Sequence, residues 1–299
     1  MEPREVVAEP AAVLALAEQV CPSLNGTASF QLAAVLETID AGLDLEGLAG
    51  VERIAEALEN LDRSRVRHWA QQLNHLESRL VTVLDDEYPA NLRMVHDHPP
   101  FLFVRGALDP SDERAIAVVG TREPSEKGAQ VAEQISGSLA ERGITVVSGM
   151  AAGIDTAAHA GALQAGGRTL AVFGTGIDRI YPASNRSLAE EISTSGATLS
   201  QFWPDMAPTR WSFPVRNIVT SGLSIGTVVV EAGPTSGARL QAEHALRHGK
   251  RLYLLRRLVE DQRWAQDLIG RPGVLAIEDI EEVLVAIEVE LDLQTDVLA

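Results

Sequence analysis

The stretch AIAVVGTREPSEKGAQVAEQISGSLAERGITVVSGMAAGIDTAAHA, residues 115–160, holds the repeating unit on which the fold is built. Ala115–Val119 is an unbroken apolar run, the pattern of a strand buried on both faces of a parallel sheet. Glu126–Glu141 has helical periodicity, and Gly143 follows as a left-handed cap. Ile144–Val147 reads as the next strand and Thr156–Gln164 as the next helix, stopped by Gly166-Gly167.

The alternation continues downstream. Strand Thr169–Phe173, helix Ser187–Ser195 and strands Thr198–Phe202 and Thr227–Val230 are followed by helix Arg239–Arg247 and strand Arg251–Leu255. Strands separated by helices of this length require crossover connections, so the reading is α/β, a Rossmann-like doubly wound and mostly parallel sheet. Two shorter strands, Leu80–Leu84 and Phe101–Val104, precede it. Residues 11–75 are a small helical module: Ala11–Val20 and Ser29–Ala41 carry helical apolar spacing, and Glu52–Leu76 continues it with charged faces. Breaks at Pro22, Gly26, Gly42, Gly47 and Gly50 keep those helices short. The expected organisation is a helical module (SAM-like or similar) over 1–78, the Rossmann-like domain over 79–277 and an acidic C-terminal helix over 278–299. Ile280, Val283, Leu284, Ile287 and Leu291 form one face of that last helix.

Net charge is −17, yet it is unevenly spread. Residues 1–115 carry −11 and residues 274–299 carry −8, whereas residues 116–273 carry +2. The middle segment is therefore free to attract a polyanion locally. The single cysteine, Cys21, can form no internal disulfide. With neither a signal peptide nor an apolar run of about 18 residues, the expectation is a reduced, soluble, cytoplasmic protein with no membrane partner.

In open α/β sheets, ligands bind outside the carboxyl ends of the strands. Those positions here are Gly120-Thr121-Arg122, Ser148-Gly149 through Asp155, and Gly174-Thr175-Gly176 followed by Asn185-Arg186. Glycines let the backbone approach closely, hydroxyls and amides donate to phosphate, and arginine forks onto it. Asp155 reads as a helix N-cap, and His159 as either a packed histidine or a phosphate contact. A further cluster, Trp211, Phe213, Arg216 and Asn217, lies on what reads as a long loop, where an aromatic could stack a base and an arginine hold its phosphate. Ser236-Gly237 opens the last long helix, where it could cap it or bind another anion. There is neither a P-loop nor a convincing dinucleotide fingerprint, no His/Cys metal spacing, no cysteine–histidine pairing of usable spacing and no G-x-S-x-G elbow. Binding is therefore expected over catalysis, with no catalytic residue, cofactor or metal.

The motifs, taken in order, resemble the DNA-processing protein A (DprA/Smf) family. They are LDDEYPANL at 84–92, PPFLFVRG at 99–106, VVGTR at 118–122, SGMAAGIDTAAH at 148–159, GTGIDRIYP at 174–182, FPVRN at 213–217, GLS at 222–224 and VEAGPTSG at 230–237. The resemblance implies a non-enzymatic protein that binds and protects single-stranded DNA without strong sequence preference. It also implies loading of the RecA recombinase in natural transformation and recombination, and a homodimer formed through the Rossmann domain. It assigns phosphate contact to Arg122, Arg186 and Arg216, with Gly120, Thr121, Ser148 and Gly149 in the turns around them. The sequence departs from the family at Ile218, where a second arginine is usual, and at Arg256-Arg257-Leu258, where the family has a Pro-Gly turn. No C-terminal winged-helix-like domain is expected. The alternative is a nucleotide-binding or nucleotide-processing protein, since Gly226-Thr227 followed by Glu231 resembles the G-T-x-x-x-E turn of phosphoribohydrolases. Their preceding Pro-Gly-Gly turn is replaced by Ser221-Gly222-Leu223-Ser224.

Overall fold

The sheet grows outward from β3 (Ala115–Val119), whose five residues are all buried, as the unbroken apolar run requires. The computed structural model describes residues 3–298 apart from 25, 26, 44, 46 and 49, with the backbone alone over 292–298. Gly26, one of the expected helix breaks, lies outside the described residues. Beside β3 the strands are β1 (Arg79–Thr82), β2 (Phe101–Gly106), β4 (Thr145–Ser148), β5 (Thr169–Val172), β6 (Ala197–Ser200), β7 (Gly226–Val229), β8 (Arg251–Leu255) and β9 (Val274–Ile277). Their order in one sheet is β1-β2-β6-β5-β4-β3-β7-β8-β9. From β6 to β9 every pairing is parallel, and β2 joins β6 and β1 antiparallel. The doubly wound expectation holds. β9 was not expected: its four residues are mostly half exposed, so it lacks the apolar run that marks the inner strands.

The helices are α1 (Pro3–Val7), α2 (Pro10–Val20), α3 (Thr27–Asp40), α4 (Val51–Glu59), α5 (Arg63–Leu73), α6 (Ala90–Arg93), α7 (Glu126–Glu141), α8 (Ile154–Gln164), α9 (Arg186–Ser195), α10 (Ser212–Leu223), α11 (Gly237–Arg247), α12 (Arg256–Asp261), α13 (Arg263–Gln266) and α14 (Ile280–Leu298). The pattern over 52–76 divides into two helices because Asp62 caps α5, accepting from the Ser64 amide at 2.8 Å. A larger correction is α10. The stretch around Phe213 and Arg216 is a helix, not a long loop, and Pro214 fits it because a first helical turn leaves its N–H groups unpaired. No helix among the described residues is long and apolar enough to cross a membrane.

α7 and α8 cover one face of the sheet in close contact. A Cβ on Gly161 would lie 2.2 Å from the Glu133 carbonyl oxygen, so glycine there sets how near the two helices approach. The apolar face of α14, with Val283, Leu284, Ile287 and Leu291 buried, packs into the same core. On the other side the N-terminal helices share one core with β1, β2, β5 and β6, including Leu14, Leu32, Phe101 and Leu199. Trp69 of α5 stacks on Trp203 with centroids 5.1 Å apart, and Trp203 Nε1 donates to Pro22 O at 2.7 Å.

The start of β5 is tied to the segment before β3 by one two-pronged ion pair. Arg168 Nε and Nη2 donate to the two carboxylate oxygens of buried Asp112 at 2.6 and 2.7 Å. Removing the arginine strands that carboxylate. Arg168→Ala should therefore lower unfolding stability by about 3 kcal/mol in urea denaturation. Arg168→Lys should recover only part of it, since an ammonium cannot fork.

Candidate functional site

The strand order reverses between β3 and β7, and a cleft of about 370 Å³ opens at their carboxyl ends. One wall is Gly120, Thr121, Arg122 and Glu123 after β3; the other is Gly233, Thr235 to Ala238, Leu240 and Gln241 at the start of α11. α10 supplies the floor, with Phe213, Pro214, Arg216, Asn217 and Thr220, and Gly149 and Asp155 close the end towards β4.

Arg216 carries its guanidinium almost wholly inside the protein, at 7% exposure. Nη1 donates to Val172 O at 2.9 Å and to Gly149 O, and Nε donates to Asn217 Oδ1 at 3.3 Å. Gly149 is glycine because a Cβ there would fall 1.7 Å from Arg216 Nη1. Burial pushes the Arg216 guanidinium below its ordinary range, and the charge of Asp155 partly restores it. Asp155 is the counterpart: burial raises its carboxyl, while the Arg216 charge and the Ala151 amide, donating at 3.3 Å, hold it down. Asp155 is thus not the N-cap of α8. Gly153, at φ +83°, holds that position, and the carboxylate turns back into the turn preceding the helix. Met150, in the same turn, adopts φ +60° with its carbonyl accepting from Asn185 Nδ2 at 3.1 Å.

His159 is fully buried and is not a surface phosphate contact. Its Nδ1 donates to Thr169 Oγ1 at 2.7 Å, because that hydroxyl gives its own proton to Val146 O. Ser148 is likewise internal, its Oγ donating to Val118 O at 2.7 Å. Glu231 accepts from the Ser125 amide at 3.2 Å and its hydroxyl at 2.9 Å, so its carboxylate holds Ser125, the N-cap of α7, in place near the helix's positive end. In α11, Ser236 is the N-cap and accepts from the Ala238 amide at 3.2 Å, with Gly237 first in the helix. Both face the cleft.

At the mouth, the exposed Arg122 guanidinium sits 4.9 Å above the Phe213 ring. Tyr181, 47% exposed, stands on that ring as well, with centroids 5.8 Å apart. Tyr181 was not foreseen; the signal available was its place directly after the third glycine-rich turn. That turn serves packing: Gly174 lies under Phe213, and the Gly176 amide donates to Met206 O at 2.9 Å. Neither glycine lines the cleft, nor do Ser148, Arg186 or Trp211. Trp211 meets Phe202 edge-on at 5.6 Å. Arg186 starts α9 in the open, and like Arg122 and Arg210 it has no carboxylate within ion-pair distance among the described residues. Ile218 is buried at 6% exposure, an apolar core residue of α10.

Residues 79–287 match the model of the DNA recombination-mediator protein A family. The chain belongs to this family. It is 35% identical over 237 residues to the DNA processing protein DprA of Streptococcus pneumoniae, covering 77% of this chain and 83% of the relative. It is 36% identical over 222 residues to protein Smf of Escherichia coli, covering 72% of this chain but only 58% of the relative. The X-ray structure of the S. pneumoniae protein superposes with a TM-score of 0.75 at 30% identity, over 92% of this chain and 97% of that one. A structure of DNA processing protein A from Helicobacter pylori, described for its single-stranded DNA binding mode, gives 0.61 at 27% identity, over 71% and 96%.

Two measurements test this construction. Gly149→Ala should displace Arg216 and lower the thermal unfolding midpoint, by the equivalent of about 1–3 kcal/mol, because the added Cβ overpacks a buried charge. Burial, with the Arg216 charge adding, holds His159 down at about 3 against an ordinary 6.5. The unfolded chain therefore takes up a proton near pH 6.5 that the folded chain refuses, so this residue costs stability as pH falls from 6.5 towards 3. His159→Gln should flatten the acid limb of the stability–pH curve by up to about 1.4 kcal/mol per pH unit relative to the parent.

Proposed function

We propose that this chain binds single-stranded DNA at the switch-point cleft, without strong sequence preference, and does no chemistry on it. The observation that carries the reading is the Tyr181–Phe213–Arg122 stack at the mouth. An exposed ring and a cation with no carboxylate partner among the described residues lie together above a floor that already holds a buried arginine. A base has an aromatic face to stack on, and its phosphate has Arg122. The N-terminus of α11, with its partial positive charge and the amides around Ser236 and Gly237, lies across the cleft. These groups recognise stacking faces and phosphates, which every nucleotide offers, and read no base edge. The H. pylori relative, whose structure is described for its single-stranded DNA binding mode, is consistent with this.

Glu231 supports binding over glycosidic cleavage, since its carboxylate is already spent on Ser125. In this reading the protein protects single strands and serves RecA loading in recombination, in keeping with the mediator family to which it belongs. Self-association through the Rossmann domain draws support from exposed Leu275 on outermost β9 and exposed Val285 and Val289 on α14.

Fluorescence anisotropy with a labelled oligothymidine across a salt series tests the central claim. Affinity should fall linearly with salt on a log–log plot and exceed that for duplex. Arg122→Glu should weaken binding about tenfold or more, and lower the salt slope by about 0.7 for each phosphate no longer neutralised. No binding at low salt, or an unchanged slope in this variant, would remove the cleft from consideration.

A further inference from the structure

We propose that His96, Asp97 and His248 form a binding site for a first-row divalent cation, zinc above all, at the far end of α10 and α11 from the cleft. The ligand-bearing atoms of the three residues all lie within 4.8 Å of one another, and they form the one such cluster found among the described residues. No sequence spacing announces it, because the fold brings together residues 151 positions apart.

Asp97 is the central ligand of the cluster. Its carboxylate is 6% exposed, and no lysine or arginine among the described residues stands within ion-pair distance; its charged-group partners are two imidazoles. His248 Nε2 lies 2.7 Å from Asp97 Oδ1 and His96 Nε2 3.9 Å from Asp97 Oδ2. A buried carboxylate needs a compensating cation. Two imidazoles and one carboxylate are the donor set that holds zinc at about 2.0–2.2 Å, with a fourth position left for water. The outer support is in place as well. His248 Nδ1 lies 3.0 Å from Ser221 Oγ, which would fix the ring and direct Nε2 to the ion.

The inner ligands, Asp97 and His248, are held by the fold, while His96, with a side chain 67% exposed, can rotate to close the remaining separation. His244, one turn earlier on α11, is excluded as a ligand because both its ring nitrogens face Arg247 Nη2, at 2.7 and 3.2 Å. An ion here would clasp the segment between α6 and β2 to the C-terminal end of α11. The helix length separates it from Ser236 and Gly237 by about 16 Å, so the site stands apart from the proposed DNA contacts.

The test is calorimetric titration of the chelator-treated 299-residue chain with ZnCl₂, with CoCl₂ as a spectroscopic probe. One equivalent should bind, raise the thermal unfolding midpoint, and give the visible bands of four-coordinate cobalt. His96→Ala removes an exposed ligand and leaves the Asp97–His248 pair intact, so it should fold with an unchanged metal-free midpoint and bind zinc at least about tenfold more weakly. His248→Gln, which keeps a hydrogen-bonding group beside Asp97, should abolish the cobalt bands. Absence of zinc binding to the parent chain would overturn the proposal. So would zinc binding that both variants leave undiminished.

Discussion

A single buried charge organises the functional end of this molecule. Arg216 enters the sheet edge from α10 and delivers its guanidinium to the carbonyls of Val172 and Gly149, at the ends of the adjacent strands β5 and β4. Such a charge is tolerable inside a protein only with a counter-charge and satisfied donors. Asp155 provides the first, the strand-end carbonyls and Asn217 the second. From this follow the glycine at 149, the inward turn of Asp155 away from the helix N-cap, and the position of α10 beneath the cleft. Each makes sense once the guanidinium is placed, and none does alone.

The same arrangement reconciles an acidic protein with a polyanionic ligand. The charge of −17 resides mainly in the N-terminal module and the last helix, whereas the switch-point cleft combines Arg122, Arg216 and a helix N-terminus. Because the field of a site is set by nearby groups and screened beyond about 8–10 Å, the distant carboxylates matter less than their number suggests. Within the cleft the two arginines do different work. Arg216 is committed to protein carbonyls and shapes the floor; Arg122 is exposed and stacked on Phe213, with no carboxylate partner among the described residues.

Much of the fold was legible in the amino-acid sequence, for definite reasons. β3, β4 and β5 are buried on both faces and so are written as apolar runs, and α7 shows its polar and apolar faces openly. α10 was not legible as a helix. From Arg216 to Leu223 every residue is buried, so the segment shows no polar face and no helical period. The short edge strand β9 failed for the opposite reason, being too exposed to carry an apolar signature. Among the site residues, the turns after β3 and β4 were found because position at a strand's carboxyl end is a sequence-level property. Gly174 and Gly176 belong to a turn of the same kind, yet their atoms are used in packing against Phe213 and Met206.

Local pattern alone marks most of the strands and helices, β9 and α10 excepted, and the glycine-bearing turns, because periodicity and backbone freedom are local properties. The sequence also shows that basic residues concentrate in the middle of the chain. Folding in three dimensions selects which of those turns share one cleft, and gathers Tyr181, Phe213 and Arg122 into a single stack. It alone decided that Arg216 faces inward and that His96, Asp97 and His248 converge. These are distances between residues far apart in the chain, set by how helices seat on a sheet, and no local pattern records them.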